Sequence, residues 1–513
     1  MKRRHFFRTI GAAVSLPLVA SGRGSATGES TSAQTPYEPL GTIDIPGARE
    51  ATVHDDGDSA YVAVRDGFVS VDISDPENPT LLAERRGVES TDGSSMRGVY
   101  DLWAWNDRLI VPGPAQPLPA SAQGFALFDI SEPADPQKLA WYGTDHYIHN
   151  CYFEDGIIYL TGSGLPTNPL IMIDIADDNP TELGRWSLVD HESEWKNTAL
   201  SGRVLHDVYV QNGVAYLPYW DSGTWVVDVS DPTDPTVRSR VGDYSLAELT
   251  EFSASEARRE AFIPGGNAHY AQPDEEGEIL AVGKEAWAAT GPGTDGEQIG
   301  GPGGIDLWDI SNKDSPEKFA HIEAPESYDN TQSGWFTTAH NVDIVGDRLY
   351  ASWYYGGVTV HDISTPSEPE RMVWWRDPTE TCFWTAQSVT AGEAFLGSSI
   401  KLGPGFNAPN ETTPGLYLFP DEAGKQADPP NLVAGPPAEP TETQTSTPEA
   451  TATPTTTPTE EPSTAPTSTT VREQETTGAD DDGPGFGIAG AVTGIGGLAY
   501  TLARHSDGSS SEE

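Results

Sequence analysis

One phrase returns along the middle of this chain and constrains its fold more than any other feature. It reads Gly67-Phe-Val-Ser-Val-Asp72-Ile-Ser-Asp-Pro76-Glu-Asn-Pro79, and again Gly124-Phe-Ala-Leu-Phe-Asp129-Ile-Ser-Glu-Pro133-Ala-Asp-Pro136. Further copies place the aspartate at Asp174, Asp228, Asp309 and Asp362, and a degenerate last copy reads Gly415-Leu-Tyr-Leu-Phe-Pro420. Each copy is a run of β-branched and aromatic residues closed by Asp, Ser and Pro, the pattern of a strand that ends in a tight turn.

Upstream of most copies lies a strand pair, as in His206-Asp-Val-Tyr-Val-Gln-Asn-Gly-Val-Ala-Tyr216-Leu-Pro, where Asn212-Gly213 supplies hairpin chemistry. Downstream comes a fourth strand such as Leu81-Leu-Ala-Glu84. Four antiparallel strands recurring every roughly 45 to 80 residues predict the blades of an all-β propeller. The copies predict seven blades, within a range of about six to eight. The last blade lacks a fourth strand, and Pro39-Leu40-Gly-Thr-Ile-Asp-Ile-Pro46 is expected to supply it from the other end, leaving no open edge. Each repeated aspartate stands alone, in five of the six copies before a hydrophobic-Ser turn and at Asp174 before Ile175-Ala176, so an Asx-turn is expected there and not a calcium site.

The phrase V-x-V-x-D-h-S-x-P-x-x-P, carried by these copies, resembles the LVIVD repeat family over nearly the whole of the middle region. The resemblance implies a propeller-like fold on a surface or secreted protein and brings no reaction with it. A fainter likeness runs to the selenium-binding and methanethiol oxidase propellers.

The two ends read as addresses. Arg3-Arg4 ahead of the apolar run Ile10 to Ala20 has the layout of a twin-arginine export signal, with residues 1–34 as signal and short linker and the propeller over 35–425. Residues 426–483, rich in Thr, Pro and acidic groups, cannot bury a core and are expected to form a disordered stalk. Residues 484–504 open with Pro484, Gly485 and Phe486 and continue as an apolar helix long enough to cross a bilayer; 505–513 form an acidic tail. This order resembles the PGF sorting signal processed by archaeal sortase-like enzymes, although the single Arg504 and the acidic tail replace the usual basic cluster. The implied partners are export machinery and such a processing enzyme, with a membrane anchor at the C-terminus and the cell surface as location.

A formal charge of -49, from 78 acidic against 29 basic side chains of which eight are lysine, excludes nucleic acid as a partner and reads as a surface built for concentrated salt. Cys151 and Cys382 are too few for a disulfide scaffold and are expected to be buried thiols. Asn410-Glu411-Thr412 is an acceptor sequon for a glycan on Asn410.

The candidate chemistry is a recurring histidine. His149-Asn150, His206-Asp207, His269-Tyr270 and His340-Asn341 occupy the same place in the first hairpin of successive blades; Tyr100-Asp101 stands there in the second blade, and the first and last depart. Innermost strands line a propeller's channel, so these side chains are expected at one height around one axis. Imidazole is the commonest metal ligand, which makes His149, His206, His269 and His340 the candidate ligands of a transition metal. The competing expectation is that each imidazole bonds a neighbouring backbone carbonyl in a repeated structural role. The long insertions fall on the same face: 112–123, 161–168, 188–203, 243–267, 284–303 and 399–413. Within them Ser245 to Phe262 is expected to form one amphipathic helix. No nucleophile-elbow, zinc-protease or phosphate-loop motif is present. Two functions stay open: an interaction module recognising a protein, glycan or small ligand, and a metal-dependent surface enzyme such as an oxidase with its histidines at the channel mouth.

Overall fold

The computed structural model describes residues 37–175, 177–289, 297–402, 410–426 and 428–435. Arg3-Arg4, nearly all of the Thr/Pro stretch, and Pro484-Gly485-Phe486 with its apolar helix lie outside them. Among the described residues no helix is long and apolar enough to cross a membrane.

Seven antiparallel sheets make a propeller. Blades one to six span residues 48–85, 103–143, 151–186, 209–241, 268–322 and 342–375. Blade seven takes three strands from 383–420 and its outermost from Gly41–Asp44, which pairs with Gly415–Leu418 in the register Gly41↔Leu418 to Asp44↔Gly415. The two ends of the folded region thus close the ring, as the alternating 39–46 segment led one to expect. Ile45, Leu396, Leu416 and Leu418 pack with Val62, Val69 and Val71 of blade one, which couples the closing blade to its neighbour through an apolar seam.

The repeated phrase forms the third strand and outer turn of its blade. In five copies the aspartate Oδ1 accepts the backbone N–H of the serine two residues on, at 3.0 Å for Asp72, 2.9 Å for Asp129, 3.1 Å for Asp228, 2.9 Å for Asp309 and 2.8 Å for Asp362. These are the Asx-turns expected from sequence. The strand also carries a feature the sequence does not announce. In all six full copies the pairing with the outermost strand slips by one residue just before the aspartate, at Ser70/Val71, Leu127/Phe128, Met172/Ile173, Val226/Val227, Leu307/Trp308 and Val360/His361. Such a bulge increases local twist and turns the outer strand away from the flat sheet.

Three expectations need correction. Ser245–Phe262 forms two short helices, Leu246–Glu251 and Ala254–Glu260, because Ser253 starts a second capping box with Glu256 exactly as Ser245 does with Glu248. The stretch expected as stalk from residue 426 begins as packed chain; it follows Gly424–Lys425, which add in parallel to the outer strand of blade six. Leu432 is then fully buried, with its carbonyl accepting Tyr328 N–H at 2.7 Å. Finally, the histidines do not stand at an open mouth. All four are buried, and the rings that touch them, Tyr100 against His149 and Tyr354 and Trp384 against His340, belong to an aromatic cap with Trp287, Trp335, Phe336, Tyr355 and Leu432. Cys151 and Cys382 are buried free thiols.

A candidate metal centre on the propeller axis

The residues just before or at the start of the innermost strands converge, one from each blade. Neighbouring rings stand 4.5 Å apart for His149 and His206, 3.8 Å for His206 and His269, and 4.6 Å for His269 and His340. Blade seven contributes Trp384, 4.0 Å from His340. Blade two contributes Tyr100, 6.2 Å from Trp384 and 6.3 Å from His149, and the Arg49 guanidinium of blade one lies over the Tyr100 ring at 5.4 Å. All four sequence-predicted histidines are therefore brought together. Arg49 and Trp384 complete the ring from the two blades where the histidine pattern broke off.

The four imidazoles are buried, but their bonding differs. Nδ1 of His340 is 2.8 Å from the Trp384 carbonyl, and Nδ1 of His149 is 3.1 Å from the Ala115 carbonyl. Each contact fixes the proton on Nδ1, because a carbonyl only accepts. His206 and His269 have no such tether: their four ring nitrogens are buried without a hydrogen bond, the contact of His269 with Glu285 below being an ion-pair approach only. An unsatisfied buried polar atom costs about 1–3 kcal/mol, so this pair is a concentrated debt in the fold.

What faces the pair is a carboxylate. Glu285, buried, sets Oε2 3.1 Å from His269 Nδ1, while Oε1 accepts the Tyr354 hydroxyl at 2.5 Å. Among the described residues, His206, His269 and Glu285 form the group of metal-competent side chains whose ligand atoms all lie within 4.8 Å of one another. Burial holds the His206 and His340 imidazoles well below their ordinary range, with the neighbouring His269 adding to the effect; burial pushes His149 down to about 3. These rings are therefore neutral at physiological pH, the form in which imidazole binds a metal. Burial and the Glu285 charge push the Tyr354 hydroxyl well up, so it stays a donor that orients the carboxylate.

Glu285 and Tyr354 escaped the sequence analysis. Glu285 opens the 284–303 insertion, whose length marked it as decorated, but no spacing ties a loop glutamate to a histidine sixteen residues upstream. Tyr354 belongs to Trp353-Tyr354-Tyr355, where an aromatic run reads as packing.

One residue further along each innermost strand lies a second layer. Glu50 accepts from Asn341 Nδ2 at 2.6 Å and from the Thr385 hydroxyl, Asp101 accepts Cys151 N–H at 2.6 Å, and Asp207 accepts from Val208 N–H at 2.7 Å and from Asn150 Nδ2. Burial, reinforced by the Asp101 charge, raises Glu50 and Asp207 well above the carboxylate range; burial raises Asp101 to about 7. On the decorated face, Asn410 donates through Nδ2 to the carbonyls of Pro378 and Thr379, so a glycan on that nitrogen would displace one of the two bonds.

The LVIVD repeat model matches residues 53–84 and 202–243, which belong to blades one and four. No curated protein matches the chain. Among solved structures it is similar to the β-propeller domain of Cps50 (Swd1) from Myceliophteria thermophila, at 10% identity over 75% of this chain and 99% of that one, with a TM-score of 0.49. It is similar also to U3-55K, at 9% identity over 75% and 98% with a TM-score of 0.49, and to the RRP9 WD40 repeats, at 10% over 75% and 99% with a TM-score of 0.46. The blade count rests on the sheets themselves.

Proposed function

We propose that this LVIVD-repeat propeller is a metalloprotein of the cell surface, holding one transition-metal ion through His206, His269 and Glu285 beneath its aromatic cap. The observation that carries the reading is the contrast within the ring. Histidines kept for structure should each bond a carbonyl, as His149 and His340 do; the ring nitrogens of His206 and His269 make no such bond, and His269 Nδ1 stands 3.1 Å from the Glu285 carboxylate. Two imidazoles and one carboxylate suit Zn, Fe(II), Ni or Cu, and three protein ligands leave coordination positions open for a small molecule. His149 and His340, whose rings stand 4.5 and 4.6 Å from those of the pair, are close enough to extend the ligand set. Tyr354 keeps Glu285 in place. A metal-dependent surface enzyme, with an oxidase among its options, fits this donor set.

Cobalt titration of the chelator-treated full chain in high salt tests the reading. The expectation is a saturable visible d–d band at about one equivalent, lost in His206→Ala and in Glu285→Gln while near-ultraviolet circular dichroism is retained. A flat titration, or a band that both variants keep, rejects the metal centre. The second reading, an interaction platform for a protein, glycan or small ligand, then takes its place with the decorated face as binding surface.

A further inference from the structure

The layer beneath the histidines surrounds a cavity of about 30 Å³ on the channel axis, room for a water or two. Four carboxylates line it, those of Glu50, Asp101, Asp207 and Asp343, and no Lys, Arg or His side chain does. Four buried acids without a basic partner are an expensive arrangement: the cavity wall offers them neutral donors only, such as Asn341 Nδ2 and the Thr385 hydroxyl on Glu50 and Gln272 Nε2 on Asp343, and no positive charge offsets the desolvation of their charged forms. A neutral oxygen adds to the pattern. Asn341, nine-tenths buried, lines the same cavity, and its amide oxygen makes no hydrogen bond. An amide oxygen accepts only, so what it lacks is a donor or a cation.

We infer that this cavity is a second, oxygen-lined cation site, for a hard divalent ion of the Ca²⁺ kind, separate from the imidazole centre above it. Ca²⁺ takes carboxylate, amide and water oxygens in flexible geometry, which is the donor set present. Mg²⁺ demands near-ideal octahedral placement, and softer metals favour the nitrogen ligands one layer up. Glu50, Asp101 and Asp207 do not converge within 4.8 Å, so the ion takes two carboxylates directly at most, with Asn341 Oδ1 and one or two waters completing its shell. Because these groups belong to blades one, two, four and six, the ion would tie separated blades across the axis, where the outer closure of the ring does not reach.

Terbium is the probe. The full chain in high salt, which suppresses binding to the acidic surface, is titrated with Tb³⁺ under tryptophan excitation; Trp103 lines the cavity and is the built-in sensitiser. The expected result is saturable emission at about one equivalent, displaced by Ca²⁺. It should weaken at least about tenfold in Glu50→Gln and Asp101→Asn and remain unchanged in the surface variant Asp231→Asn. His206→Ala, which empties the imidazole centre, should keep it, so the two sites stand or fall separately. Absent saturation, or emission indifferent to both cavity variants, overturns the inference. Should those variants fold poorly, crystals of the wild-type chain grown with Ca²⁺ decide the matter: an anomalous peak among Glu50, Asp101 and Asp207 sustains it, and solvent alone there refutes it.

Discussion

Asp221 shows how a single side chain in this propeller sets a pH dependence. It is buried, with Oδ1 accepting Asn267 N–H at 2.9 Å and Oδ2 unbonded, and burial raises its carboxyl to about 7. A carboxyl raised from its ordinary value near 4 gives stability that is full below that value and is lost as pH rises through about 7. Asp221→Asn keeps the Asn267 bond and removes the ionisation. The variant should therefore melt above wild type at about pH 8 and match it at about pH 4, as read by thermal unfolding across pH. Gly124 fixes a different kind of limit. It opens the repeated phrase of blade two with a φ of +145°, and a Cβ there would land on the Tyr142 carbonyl of the outer strand. Gly124→Ala should destabilise by on the order of 2 kcal/mol or more, through strained backbone and steric conflict together. At this scale the sequence was informative where a residue type recurs in register, as the four histidines do. It was silent on Glu285, whose place beside His269 depends on how a long loop returns to the axis.

Strands and turns were the most legible level. Asx-turns, the hairpins and the closing strand all follow from chemistry written into a few consecutive residues. The repeated bulge was not legible, because it arises from how two strands twist against each other and leaves no residue signature. The helix pair was legible and was misjoined, since Ser253 and Glu256 carry their own capping box. The aromatic cap was out of reach because Trp287, Trp335, Tyr354 and Leu432 come from four loops with no shared spacing. Two expected outcomes belong here. Removing residues 37–46 takes away the outer strand of blade seven and exposes the Gly415–Pro420 edge, so the truncated chain should lose its single cooperative transition and aggregate on heating, as calorimetry and light scattering would show. Leu416→Ala leaves the ladder intact but hollows the seam against blade one and should cost about 2–5 kcal/mol in denaturant unfolding.

For the whole molecule, the charge of -49 sets the response to salt. Ion pairs such as Arg238–Asp228 at 2.5 Å and Lys318–Asp243 at 2.9 Å weaken when screened, yet most acids have no basic partner available, since acids outnumber bases 78 to 29. Relief of repulsion therefore outweighs loss of pairs, and the melting temperature should rise steadily with NaCl toward molar concentration, where the screening length falls to about 3 Å. A melting temperature that falls over that range would show the pairs to dominate. The seven-fold arrangement brings side chains from all seven blades together at the axis, so a break in the repeat, such as Arg49 or Trp384, is felt there first.

Elemental analysis of the full chain, purified in high salt without chelator, decides whether His206 and His269, facing Glu285, hold a metal. The metal centre requires about one Zn, Fe, Ni or Cu per wild-type chain and close to none in a folded His269→Ala variant. Wild-type protein free of all four, or a variant that keeps its metal, would contradict it.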